Sequence, residues 1–593
     1  MLYPSENAFR EVKDLCGIWN FKADNSGVGN SEKWYENKLE NTILMPVPAS
    51  YNDITQDISL RDFIGDVWYQ KDFYVPSSWK DKRILIRFGS VSHNASVWIN
   101  GKYAVEHKGG YLPFEAEIGK FINFDKPNCV TVRVGNILDY GTLPPGKIEE
   151  YPFDDYPEGF RRQIIQHDFF HYSGIHRPVK IYCTEHDFID DITVVTDIGE
   201  NCGTVKYSVK IAGNGDVTVS LRDKCGNEVA SGNGENGVLK VENPHLWNVG
   251  DGYLYTLEVK LSNNGRTVDL YEQKIGIRTI KVEGCKILLN GKPVHFTGFG
   301  RHEDSNIHGK GLDNALNIKD NNLLKWIGAN SFRTSHYPYS EELMDIADEE
   351  GFLVIDECSA VGFNFWGAGK PVFCPELISD EALTTHIREM KELIARDKNR
   401  PCVIMWSVAN EAATYEESSR PYFKKVIDTA RQADSTRPIT IIEHTKANEC
   451  KVGDLVDVIG VNRYFSWYND PGYLDTIEPR LTAELKRWYD NFRKPVIITE
   501  FGADTVAGMH SDPPQMFSEE YQVEVIKHYA NVIDSLDFVV GEQVWNFADF
   551  QTKQGITRVL GNKKGIFTRD RSPKMAAHYL KERWDSLKKE AEL

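Results

Sequence analysis

The chain has 593 residues, 41% of them hydrophobic and 26% charged, with a formal net charge of −18. That length exceeds one hydrophobic core and points to roughly three or four domains of ordinary globular composition. The acidic balance argues against a nucleic-acid or anionic-membrane surface, since both need basic patches, and no run reaches the roughly 18 apolar residues of a membrane span.

The amino terminus, Met1 to Asn7, carries neither a basic region nor an apolar stretch, so no secretory leader and a cytoplasmic home are expected. The ten cysteines are scattered singly without CxxC or His-Cys spacing, which reads as reduced thiols and no metal site. Residues 1–180 alternate apolar and polar positions, as in Ile84, Ile86 and Phe88, and Val97-Trp98-Ile99 runs into the hairpin signal Asn100-Gly101. This short-strand rhythm predicts a jelly-roll β-sandwich. Over 181–276 the rhythm restarts with Ile192–Val195, Val217–Leu221 and Tyr253–Val259, as in an immunoglobulin-like β-sandwich. Gly232-Asn233-Gly234-Glu235-Asn236-Gly237 matches a dinucleotide-loop spacing, but a strand-like Val238-Leu239-Lys240-Val241 follows where a helix is required, so it is a turn and no cofactor is implied.

From 277 to 593 strands alternate with amphipathic segments. Eight apolar candidates begin at Val294, Ser331, Phe352, Cys402, Ile439, Val458, Val496 and Phe538, which predicts a (β/α)8 TIM barrel, with a doubly wound open sheet as the alternative. Two of these strands end in an acid, Glu411 after Met405–Asn410 and Glu500 after Val496–Thr499. Either alone is as well read as a strand cap. Both at the carboxyl end of one barrel are the apparatus for cleaving a glycosidic bond, one protonated acid and one ionised carboxylate, and mutual repulsion helps divide those roles.

Around them stand Asn410, a sugar-hydroxyl partner or a turn residue, and His336 and His302 past the second and first strands. A basic run (Arg558, Lys563, Lys564, Arg569, Arg571) lies between the last strand and the last helix. Such a run is usually a solvated face; at a barrel mouth it can instead pair with a carboxylate on a sugar.

Three motifs make the chain recognisable: Gly298-Phe299-Gly300-Arg301-His302-Glu303-Asp304, Arg333-Thr334-Ser335-His336-Tyr337-Pro338-Tyr339 and Val544-Trp545-Asn546-Phe547-Ala548-Asp549-Phe550. With Leu15-Cys16-Gly17-Ile18-Trp19, they resemble the β-glucuronidases of glycoside hydrolase family 2 from end to end. The resemblance implies jelly roll, immunoglobulin-like sandwich and catalytic barrel, retention of anomeric configuration, Glu411 as acid/base and Glu500 as nucleophile. It places an Asn-x-Lys uronate motif on Asn562 and Lys564, and sugar contacts on Asp168, His336, Asn410, Tyr464, Tyr468, Trp545 and Arg558. It further implies small-molecule glucuronide substrates and a homotetramer. A β-galacturonidase or β-galactosidase of the same family, or a non-catalytic carbohydrate-binding relative, are the alternatives. Ala412 and Phe501 depart from the common Pro and Tyr, and the loop 365–378 varies within the family.

Overall fold

The computed structural model describes residues 1–365 and 369–592, so Trp366 to Ala368, part of the loop 365–378, lie outside the described residues, as does Leu593. Alternating patterns in the first unit build two antiparallel sheets. The larger runs, in spatial order, Ile43–Val47, Gly17–Ala23, Asp66–Phe73, Asn128–Gly135, Asn94–Ile99 and Lys102–Lys108. The smaller runs Glu11–Asp14, Val179–Thr184, Arg83–Phe88 and Phe114–Glu117. Trp19, Tyr69 and Val97 from the first meet Ile84, Ile86 and Ile181 from the second in one core. Asn100 and Gly101 turn the expected hairpin with φ of 52° and 74°, the left-handed pair that a two-residue loop requires.

A seven-stranded sandwich follows between Phe188 and Ile275, in sheets of three and four strands. The glycine-rich run crosses here from Glu228–Asn233 to Asn236–Glu242, a turn as expected.

The third unit is a closed parallel barrel: β1 (Phe296–Gly300), β2 (Ser331–Arg333), β3 (Leu353–Glu357), β4 (Val403–Asn410), β5 (Ile439–Glu443), β6 (Val458–Asn462), β7 (Val496–Glu500) and β8 (Val539–Val544). β1 pairs with β8 as well as β2, which rules out the open sheet. The first strand begins later than expected because Lys292–Pro293 joins a small sheet with Ile280–Glu283 and Lys286–Leu289. Around the barrel lie α1 (Asn314–Ile327), α2 (Glu341–Glu350), α3 (Asp380–Asp397), α4 (Ser419–Ala433), α5 (Ile477–Phe492), α6 (Glu519–Asp534) and α7 (Met575–Glu592); β5 runs to β6 without a helix. Side chains of Asp313, Ser340, Ser379 and Ser518 cap four of these helices at their first free N–H groups.

Buried ion pairs fix the units to one another: Arg10 to Asp269 at 2.6 Å, Arg87 to Glu341 at 3.0 Å and Arg177 to Glu303 at 3.1 Å. One buried acid in α3, Glu389, has only a longer pair with the partly exposed Arg388, at 3.6 Å. Burial pushes the Glu389 carboxyl up to about 7, opposed by the Ser359 hydroxyl and Arg388. Because this folded value lies above the unfolded one, the stabilising contribution of the protonated form is complete below pH about 4.5 and is lost as pH rises through about 7. Glu389→Gln keeps the group neutral throughout. Melting curves at pH 5 and pH 8 are therefore expected to show the variant gaining on the parent with rising pH, by about 3 kcal/mol at most; an equal gap at both pH values contradicts this.

Candidate active site

β4 is apolar and buried until Asn410, and Glu411 then turns out of it with φ of 51°. A non-glycine residue holds that left-handed conformation only where its surroundings impose it; here the Glu411 N–H donates to Ile442 O at 2.8 Å. Glu500 closes β7, opposite Asn462 in the β6–β7 ladder. Asn462 links Glu411 to the strand that ends in Glu500: its Nδ2 donates to Glu411 Oε1 at 2.9 Å, while its Oδ1 accepts from Thr499 Oγ1 at 2.8 Å. Both carboxyls line one cavity of about 910 Å³ at the carboxyl ends of the strands.

Glu500 is the more tightly held. Arg333 Nη2 donates to its Oε1 at 2.5 Å, Tyr464 OH donates to Oε2 at 2.7 Å, and His336 Nε2 lies 3.9 Å away. Burial pushes the Glu500 carboxyl above the ordinary carboxylate range; Arg333 opposes the rise, Glu411 adds to it, and His336 and Tyr464 oppose it. Arg333 is itself buried and bridges to Glu357 Oε1 at 2.7 Å, beside His336 Nδ1 at 3.1 Å from the same oxygen. His336 stacks on Trp545 with ring centroids 5.0 Å apart. A Cβ at Gly300 would lie 2.6 Å from the Trp545 ring, so β1 ends in glycine where that ring packs.

The rim after β8 is a charge group assembled from two units. Asp168, from the first, accepts from Arg558 Nη2 at 2.8 Å and from Asn562 Nδ2 at 2.9 Å. Asn562 Oδ1 accepts the Lys564 N–H at 3.0 Å, and Lys564 Nζ donates to Tyr468 OH at 2.8 Å and to Asp504. An ammonium has three N–H donors, so one remains beyond these two partners. Gly561, with φ of 96°, lets this loop turn where a Cβ would meet Phe550 O at 2.3 Å.

Asp168, His336, Asn410, Glu411, Tyr464, Tyr468, Glu500, Trp545, Arg558 and Asn562 all line the cavity; Lys564 is fully buried just behind Asn562. The basic run divides. Arg558 lines the cavity and the Lys564 ammonium reaches its Tyr468 from behind, but Arg569 pairs with Asp304 and with Asp53 of the first unit at 3.1 Å, and Arg571 with Asp320 at 2.9 Å. His302 stays behind the wall, its Nδ1 2.9 Å from Tyr337 OH. Phe501 points away from the cavity and stacks on Tyr529 at 4.7 Å, and Ala412 is buried. Arg333, Glu357, Asn462 and Asp504 were not singled out from the sequence. Arg333 sits within a quoted motif, and Asp504 follows Glu500 by four positions on the same loop, which is the only signal they offered.

Comparison with known proteins places the chain in a family. The family profile "Glycosyl hydrolases family 2, TIM barrel domain" matches residues 280–589, the family's sugar binding domain matches 12–185, and "Glycosyl hydrolases family 2" matches 188–278. The chain is 54% identical to a beta-glucuronidase of Paenibacillus borealis over 99% of both chains, and 45% identical to that of Mus musculus over 98% of this chain and 92% of the other. A solved beta-D-glucuronidase of Dictyoglomus thermophilum superposes with a TM-score of 0.95 at 54% identity, covering 99% of each chain. A Ruminococcus gnavus β-glucuronidase in complex with D-glucuronic acid superposes with a TM-score of 0.93 at 41% identity, covering 98% of this chain and 99% of the other. The chain belongs to glycosyl hydrolase family 2.

Proposed function

We propose that this chain is an exo-acting, retaining β-glucuronidase that releases β-D-glucuronic acid from small glucuronides. The observation that carries the reading is one cavity lined by Glu411, Glu500 and Asn562, with Lys564 buried against Asn562. Glu411 protonates the glycosidic oxygen while Glu500 attacks the anomeric carbon, forming a glycosyl ester. Esterification removes the charge on Glu500, and Glu411, now ionised, takes a proton from the water that cleaves the ester. Arg333, His336 and Tyr464 favour the ionised form of Glu500, against the rise that burial causes.

The uronate carboxylate is read as accepting the remaining N–H of Lys564 and the second N–H of Asn562. His336, Asn410 and Asp168 then remain for the ring hydroxyls and Trp545 for the pyranose face. The support is chemical complementarity: an ammonium and an amide at one point of the wall suit a carboxylate and leave a CH2OH group underused.

We propose also a homotetramer in the cytoplasm. The family resemblance supports the first, and ten unpaired thiols fit the reducing compartment of the second. Light scattering is expected to give four times the 67.6 kDa chain mass; a monomer or dimer mass contradicts the assembly.

Hydrolysis of matched chromogenic glucuronide, galacturonide and galactoside tests the substrate, with the glucuronide expected to turn over fastest. For Lys564→Met we expect kcat/KM on the glucuronide to fall by about 10²-fold or more while the neutral glycoside changes little, so that the selectivity ratio collapses. An unchanged ratio in a folded variant contradicts the assigned clamp, and a faster galactoside contradicts the substrate.

A further inference from the structure

The clamp and the two glutamates leave one wall of the cavity without a task. In a closed eight-stranded barrel β4 and β8 stand opposite each other, and Arg558 and Asn562 follow β8. A sugar held there by its carboxylate turns its leaving group towards the loops after β4, β5 and β6, the side where Glu411 stands. That wall carries Lys446 from the loop after β5, Arg463 after β6, and Arg480, Glu484 and Arg487 from α5. Positions 480, 484 and 487 recur at helical spacing and so share one face.

Its charge has the wrong sign for this protein. Apart from Glu411, the wall is lined by four cations (Lys446, Arg463, Arg480, Arg487) and one carboxylate, Glu484, in a chain of net charge −18. Arg463 is buried and donates to Glu484 and to the carbonyls of Glu443, Asn462 and Thr445, which leaves Lys446, Arg480 and Arg487 for a ligand. Glu484 is shared by Arg463 at 2.9 Å and Arg487 at 3.0 Å, so one anion serves two guanidiniums. Lys446 reaches Glu449 at 3.6 Å with 69% of its side chain exposed, and Arg480 pairs with Asp470 at the surface. Exposed pairs of this kind are weak and give way readily to another anion. Arg480 is also stacked over Phe465 at 4.5 Å, which holds its guanidinium in place. Glu449 and Asp470 lie outside the cavity lining, so on the face turned to the cavity the cations outnumber the carboxylates. A cleft lined by one sign of charge, by contrast, concentrates ligands of the other.

We infer that this wall is a leaving-group subsite that selects aglycones carrying an anionic substituent, a carboxylate or a sulfate. The inference rests on the glucuronidase reading and deepens it.

The test uses the full-length enzyme and aryl β-glucuronides of matched phenol acidity, bearing a remote neutral, carboxylate, sulfate or ammonium group. At low ionic strength kcat/KM is expected to favour the carboxylate or sulfate over the neutral substrate by about tenfold, with the ammonium substrate poorest. The preference should shrink in about 0.5 M salt and fall to near parity in a Lys446→Ala/Arg487→Ala double variant. The carboxylate and sulfate arms together show which anion fits. Equal rates for neutral and anionic substrates at low salt overturn the inference, as does a preference that survives in the double variant. If no aryl glucuronide is hydrolysed at all, the glucuronidase reading falls and this subsite with it.

Discussion

The guanidinium of Arg333, buried between Glu357 and Glu500, is the interaction on which the chemistry depends. Burial and the neighbouring Glu411 both push Glu500 towards its neutral form, in which it has no nucleophilic charge. Arg333, Tyr464 and His336 oppose that drift from three directions. Glu357 is the counterweight, held below the ordinary carboxylate range chiefly by Arg333 against the cost of its own burial. A buried cation shared by two carboxylates is a poor source of stability, but breaking it is costly. Its value here is positional, because β2, β3 and β7 each contribute one member and the three strand ends are thereby fixed relative to one another.

A second charge group explains why the barrel is accompanied by a sandwich. Asp168 comes from the first unit and meets Arg558 and Asn562, hundreds of positions later in the chain, to complete the rim of the cavity. The same two units are joined again by Arg569, which spans Asp304 and Asp53. The site is therefore a joint between domains, and ion pairs outside the cavity hold that joint in register. Asp504 plays the balancing part for Lys564 that Glu357 plays for Arg333: each buried cation of the site stands against a resident carboxylate.

The features legible in the sequence were local ones. Apolar runs of four to eight residues marked the eight barrel strands because parallel strands are buried on both faces, and the acids ending β4 and β7 stood out against that background. Strand limits slipped by a few residues where the small basal sheet took up Lys292–Pro293 and where β8 ran on to Val544. The basic run was legible as charge but not as geometry. Arg569 and Arg571 find their partners at Asp53 and Asp320, far off in the chain, and no spacing rule could separate them from Arg558 and Lys564. Asn462 and Asp504 were invisible for the same reason: their importance comes from which carboxyl or ammonium they touch, and that is set by barrel closure.

The convergence of Glu411 and Glu500 on one pyranose is tested most directly by trapping the glycosyl ester. Incubating the enzyme with a 2-fluoro glucuronide that bears a good leaving group, then mapping the labelled peptide by mass spectrometry, identifies the attacking carboxylate. A single adduct on Glu500 is expected, and because a good leaving group needs no protonation it still forms when Glu411 is replaced by Gln. An adduct on Glu411, or on a carboxylate outside the cavity, contradicts the central claim.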